Sequence, residues 1–281
     1  YYYVISDNKD LTFKPKVFFD DEIVLQNEYR QVNKFSSHLL DFSLTPSNFL
    51  SSKNSSKGHF YSKSMYELQN SFFDESNLEL NLQKVNNDEY LKLYKIQNAK
   101  LINDTNLLHS YLDFYGDKDD LSFSTSLEVY EDLSKDKTSR YEFIYPNYEV
   151  QRRIESKTGD DIYIKSYGSQ RTYQTNLYEG ILINDLLMNS QSNYLGNGLV
   201  TNFNALIKNV NVDAKNSNKY KDKFEQSIAT IFQHNTSYPL KKEGEVYSNY
   251  FTPRISLMYS PNKTKNLSSD VRRIDTTNIF S

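Results

Sequence analysis

The stretch Leu11-Thr-Phe-Lys-Pro-Lys-Val-Phe-Phe19 decides how this chain is read. Leu11, Phe13, Pro15, Val17 and Phe19 fall on one side of an extended backbone and Thr12, Lys14 and Lys16 on the other. A period of two makes a strand with one apolar face and cannot make an apolar stripe on a helix. The pattern returns at Leu121, Phe123, Thr125, Leu127 and Val129, opposed by Ser122, Ser124, Ser126 and Glu128. It returns again at Leu199, Thr201, Phe203, Ala205 and Ile207, and at Phe251, Pro253, Ile255, Leu257 and Tyr259, opposed by Thr252, Arg254 and Ser256. One face of each strand requires an apolar surround and the other requires water. A sandwich meets that requirement, and so does a membrane barrel with a wet lumen.

Composition is compatible with the barrel. The 281 residues are 37% hydrophobic with mean hydropathy −0.72, which is too polar for transmembrane helices, and no run of 18 apolar residues occurs. A barrel strand turns only alternate residues to lipid, so its average stays polar. The 24 Tyr and 17 Phe, with no Trp, suit an aromatic girdle at a membrane interface, although soluble sheets also favour them. A net charge of −3 gives no general attraction to nucleic acid. With no Cys, disulfides, thiolate metal sites and cysteine nucleophiles are excluded within residues 1–281. Tyr1-Tyr-Tyr-Val-Ile-Ser6 has no initiator Met, basic region or cleavage signature, and the sequence stops inside Asn278-Ile-Phe-Ser281. Both ends read as cut.

Strand-like segments, roughly 12–14 of them, alternate with turns such as Asp7-Asn-Lys-Asp10, Gly116-Asp-Lys-Asp119, Ser156-Lys-Thr-Gly159 and Lys241-Lys-Glu-Gly244. The reading places strands at 160–168 and 170–188, and one strand across 246–260. Longer polar stretches occupy Ser51 to Lys57, Val85 to Asn106 and Val212 to Lys221, and Asn87 or Asp88 can cap a short helix running to Tyr94. No fixed-period repeat is present.

Chemistry-bearing motifs are sparse. His38, His59, His109 and His234 lack metal-ligand spacing and read as strand-face residues. Ser37 and His38 point to opposite faces and make no dyad. No nucleophile elbow, Walker loop or dinucleotide fingerprint occurs. Asp20-Asp21, Asp119-Asp120 and Asp160-Asp161 read as solvated turn residues, and the sequons at Asn54, Asn103, Asn235, Asn262 and Asn266 decide nothing. Pro15, Pro146 and Pro253 lie within strand patterns, where a missing ladder donor marks a bulge or a seam.

At Tyr1-Tyr-Tyr-Val-Ile-Ser-Asp-Asn-Lys-Asp-Leu-Thr-Phe-Lys-Pro-Lys16, followed by Leu25-Gln-Asn-Glu-Tyr-Arg30, the sequence resembles the opening barrel strands of the LptD family of outer-membrane lipopolysaccharide-assembly proteins. Asp88-Glu-Tyr-Leu91, Arg140-Tyr-Glu-Phe-Ile-Tyr-Pro146, Tyr250-Phe-Thr-Pro-Arg254 and Arg273-Ile-Asp-Thr-Thr-Asn-Ile-Phe280 are similar to further landmarks of that family in the same order. The resemblance implies that residues 1–281 are one fragment of a larger antiparallel transmembrane β-barrel in the bacterial outer membrane. It implies lipopolysaccharide as cargo, outer-membrane lipids around the wall, and an LptE-like lipoprotein plug as partner. A periplasmic Lpt bridge would be reached through a jelly-roll domain that residues 1–281 lack. No cofactor or enzymatic activity is implied. It also implies a lateral gate at the first strands, comprising Tyr1, Tyr2, Tyr3, Val4, Ile5, Phe13 and Pro15.

The expectation is therefore an all-β fold, part of a barrel, with Leu121, Phe123, Leu127, Val129, Leu199, Phe203, Ile207, Phe251, Ile255 and Leu257 facing lipid. A porin or uptake receptor is the alternative within the barrel class. A soluble all-β binding or adhesion module is the alternative outside it.

Overall fold

The computed structural model describes residues 1–18, 23–45, 56–98, 101–102, 104–263 and 265–268. The chain is all-β. Its strands are β1 (Tyr2–Ser6), β2 (Lys9–Val17), β3 (Ile23–Val32), β4 (Ser36–Thr45), β5 (Lys57–Glu67), β6 (Glu75–Val85), β7 (Leu107–Lys118), β8 (Leu121–Asp132) and β9 (Tyr141–Glu155). They continue as β10 (Asp161–Tyr173), β11 (Tyr178–Asn189), β12 (Asn193–Tyr194), β13 (Val200–Lys215), β14 (Glu225–Ser237), β15 (Leu240–Glu243), β16 (Ser248–Phe251) and β17 (Arg254–Tyr259). A short helix, α1 (Tyr90–Leu93), follows β6.

Strands pair in the order β1 to β11, then β13, β14 and β17, with β12 beside β13; among the described residues β15 and β16 pair only with each other. Nearly every neighbour in this order is also the next in sequence, as hairpin connections require. Among the described residues the path does not close, so no closed barrel is found. Asp20-Asp21, Asn54, Asn103 and the landmark 273–280 lie outside the described residues.

Two compact units emerge. The first holds the described parts of Tyr1–Asp119, Ser124–Tyr148 and Gln170–Leu177; the second holds those of Asp120–Phe123, Glu149–Ser169 and Tyr178–Ser281.

In the first unit the register follows the sequence pattern. Pro15 opposes Leu25, which opposes Leu44, and Phe13 opposes Asn27, which opposes Phe42 and then Phe60. Directly opposed residues share a face, so these belong to one face. Gln26, Ser43 and His59 share the other, with Glu28, Asp41 and Tyr61 in the next rank. In the second unit Leu186 opposes Ile207, Met188 opposes Ala205, and Phe203 opposes His234, which opposes Leu257. Asp185 and Lys208 are paired on the reverse face.

Two readings are corrected. The strand expected over 246–260 is two elements, because residues 240–251 fold back on themselves as β15–β16 and Pro253 separates them from β17. Phe251 therefore pairs with Leu240 in a separate sheet. The break expected near residue 169 falls at Gln174–Leu177, where Asn176 adopts φ 61°, a conformation asparagine tolerates better than most residues. Of the bulge or seam that Pro15 was expected to mark, no bulge occurs between β2 and β3, whose register is continuous from Lys9 to Val17. The bulge lies in β1, between Val4 and Ser6.

Candidate functional site

Adjacent residues reveal which side of the strands is covered. Ser43 is fully buried while Leu44 is 55% exposed. Asp185 is 8% exposed against 39% for Leu186, and Ser227 is 8% exposed against 47% for Ile228. A fold built for water buries its apolar face. Here Leu44, Leu186 and Ile228 face outward beside covered polar neighbours, but both faces are mixed: Asn27, Ser62, Ser64, Asn184, Asn209, Thr230 and His234 interrupt the outward faces, and Val24, Tyr61, Leu206 and Val212 lie on the covered ones.

The polar face of the first unit is cross-linked by charge. Lys14 meets Glu28 at 3.0 Å, Arg30 meets Asp10 at 2.8 Å, and Lys63 meets Glu79 at 2.8 Å. At its centre Asp41 accepts from His59 Nε2 at 2.9 Å, from Gln26 Nε2 at 3.1 and 3.0 Å on its two oxygens, and from Asn98 Nδ2 at 2.6 Å. His59 Nδ1 lies 2.6 Å from Ser43 Oγ, and Ser43 Oγ lies 2.6 Å from the Tyr90 hydroxyl. With Asp41 as a carboxylate, one donor order satisfies every atom: Tyr90 donates to Ser43, Ser43 to His59 Nδ1, and His59 Nε2–H to Asp41.

Serine, histidine and aspartate in contact invite comparison with a hydrolytic triad. The geometry opposes it. Ser43, Asp41 and the side chain of His59 are buried, and the Ser43 oxygen is already engaged by Tyr90 on its outer side. No substrate carbonyl can reach that oxygen, so the group works as a structural network.

The network holds the segment after β6 against the strands. Tyr90, Leu91, Tyr94, Ile96 and Asn98 are buried, while Lys92, Leu93, Lys95 and Gln97 are exposed. Lys16 Nζ donates to the carbonyls of Lys95 at 2.9 Å and Tyr94 at 3.5 Å, and Gln83 Nε2 donates to the carbonyl of Leu101 at 2.8 Å. Arg140 grips Asp88 with two bonds, 3.0 and 2.7 Å, and touches Glu131 at 3.3 Å. The Arg140 guanidinium holds the Asp88 carboxyl below its usual pKa. Around these polar ties Val24, Tyr61, Val85, Leu101, Leu108 and Leu133 pack with the apolar side chains of the segment into the hydrophobic core of the first unit.

Of the expected gate residues, Tyr2 to Ile5 lie on β1, an edge strand among the described residues, and Phe13 and Pro15 lie on β2 beside it. Tyr1 exchanges backbone bonds with Phe13, 2.6 and 2.7 Å, and Tyr2 to Ile5 are exposed along β1. Peptide groups two residues apart on a strand point the same way. Pro15 therefore turns its missing N–H toward the β1 side, past Tyr1, and its absence costs no bond to β3. Of the residues expected to face lipid, Leu127, Phe203, Ile207, Ile255 and Leu257 are exposed. Leu121, Phe123 and Val129 lie on β8 and are half-buried, Leu199 precedes β13, and Phe251 lies on β16.

Sequence reasoning missed the Asp41, Ser43, His59, Tyr90 and Asn98 cluster. The only local signal is Asp41 and Ser43 at a spacing of two on one strand face; the other members arrive from β5 and from the loop. The histidines lie on strands: His109 meets Glu128 at 2.9 Å, His38 lies beside Ser36 and Ser64, and His234 beside Thr236. Among the described residues no group of three or more His, Asp or Glu is arranged to hold a metal ion.

No family model matches the chain, and no curated protein is detectably similar to it in sequence.

Proposed function

We propose that this chain forms part of the wall of an LptD-like outer-membrane β-barrel that delivers lipopolysaccharide to the outer leaflet, with no enzymatic activity of its own. The observation that carries the barrel reading is the reversal of burial along the strands, polar residues covered and Leu44, Leu127, Leu186, Phe203, Ile228 and Leu257 exposed. In lipid those exposed side chains are in their preferred solvent, and the ion-paired face borders water. A soluble binding module would have to leave both units with uncovered apolar faces, a strongly unfavourable exposure to water.

Two observations support the narrower reading. Pro15 removes a donor on the β1 side past Tyr1, which lowers the cost of parting β2 from whatever pairs with it there in the full-length protein. The residues that carry the resemblance also make specific ties: Asp10 with Arg30, Glu28 with Asn98, Asp88 with Arg140, and Tyr90 with Ser43. Lipopolysaccharide, outer-membrane lipids, an LptE-like plug and the periplasmic Lpt bridge are the partners that follow from this reading. A porin or uptake receptor is the second reading, favoured by a loop that lies on the polar face as a constriction would.

Membrane fractionation of the full-length protein tests the barrel class: the protein stays in the pellet after carbonate and urea washing. Release into the supernatant would sink it. Depletion of the protein then tests cargo, with loss of surface lipopolysaccharide expected and normal surface lipopolysaccharide favouring the porin reading.

A further inference from the structure

We propose that residues 86–98, with 101–102, are a fixed inner wall of the passage that sets the size of what crosses beside β3–β6. This rests on the barrel reading above.

A connection of this length is expected to be mobile when it merely spans two strands. The segment after β6 is held otherwise. Its side chains alternate between covered and exposed from Tyr94 to Asn98, so one edge lies on the strands and the other faces away. Its anchors are distributed along its length, at Asp88, Tyr90, Tyr94, Lys95, Asn98 and Leu101. The groups that hold them come from β2, β4, β6 and the turn before β9, so no single strand movement releases the segment. Apolar packing closes what the polar ties leave. Tyr90, Leu91, Tyr94 and Ile96 are part of the same buried cluster as Val24 and Tyr61. A gate that opens in each cycle would need to uncover that cluster and take the Asn98 donor from Asp41 and the Tyr90 hydroxyl from Ser43, and local opening is drawn from weakly packed segments instead. Seated on the polar face, the segment takes up space that the strands would otherwise leave to water, and its outward edge carries Lys92, Leu93, Lys95 and Gln97.

The test uses the full-length protein in planar bilayers, with residues 88–98 replaced by a short Gly-Ser linker. Conductance is expected to rise several-fold, with entry of larger uncharged polymers, as a steady increase. If that variant fails to assemble, Lys16→Ala with Asn98→Ala is expected to give an intermediate rise. Unchanged conductance and polymer cut-off in the assembled variant overturn the proposal. Trypsin reads the seating independently: Lys92 and Lys95 in the folded parent resist cleavage far longer than in urea. Cleavage there at the unfolded rate overturns the fixed wall even if the protein conducts. If the protein never inserts into a bilayer the barrel reading fails, and this inference with it, whereas protease resistance shows that the segment is still seated.

Discussion

Asn98 donates to Asp41 across 2.6 Å although the two are 57 residues apart in sequence. That bond joins the loop between β6 and β7 to the middle of β4. Asp41 also serves Gln26 and His59, so one carboxylate ties β3, β5 and the loop together.

Asp41→Ala is expected to destabilise the first unit by about 3–5 kcal/mol, because removing one partner leaves several buried donors unsatisfied. Asp41→Asn should cost less, since one oxygen remains to accept. Urea midpoints of the two variants check the order, and equal midpoints would mean that the network contributes little.

Leu127→Arg and Ile207→Arg are expected to cost about 2–4 kcal/mol each if those positions lie near mid-membrane, while Ser124→Arg on the opposite face should be mild. Folding titrations into lipid vesicles measure the difference. Equal tolerance at the two kinds of position would remove the basis for a lipid-facing side.

Pro15→Ala is expected to leave the β2–β3 register intact and to supply one new donor past Tyr1, worth about 1 kcal/mol where the full-length protein presents an acceptor to it. In the full-length protein, surface lipopolysaccharide should fall and sensitivity to bulky hydrophobic antibiotics should rise at unchanged barrel levels. Normal surface lipopolysaccharide would leave Pro15 as an ordinary edge residue.

The tie between Asp88 and Arg140 predicts a pH dependence. The carboxyl of Asp88 is held below its unfolded value, roughly 3.9, by its bond to the guanidinium. A depressed folded pKa contributes stability above the unfolded value, and that contribution disappears as pH falls through the folded one. The stability gap between the parent and Asp88→Asn should therefore be constant above about pH 5 and shrink in acid. A gap that widens in acid would contradict the pairing.

Gly58 has no space for a side chain: a Cβ there would lie 2.5 Å from the Ser43 carbonyl oxygen and 2.9 Å from Leu44. Gly58→Ala is expected to cost about 1–3 kcal/mol by forcing β4 and β5 apart. A thermal melt of the variant against the parent shows it, and an unchanged midpoint would mean that the strands yield freely.

The sequence by itself determined that the chain is all-β and which residues share a strand face. Side-chain alternation in a strand is a local property of the backbone, so Leu11 to Val17 or Phe203 to Ile207 can be read without knowing any partner. It also placed a short helix near Asn87 to Tyr94, because caps and turns are local too. Only the tertiary structure decided which face is covered, since burial depends on what the rest of the chain lays against a strand. It decided that Phe251 leaves the main sheet, because pairing of 240–243 with 248–251 is a choice between competing partners. It decided the Asp41 network as well: Ser43, His59, Tyr90 and Asn98 are scattered along the chain, and no spacing rule links them until the loop folds back and brings their polar atoms within hydrogen-bonding distance.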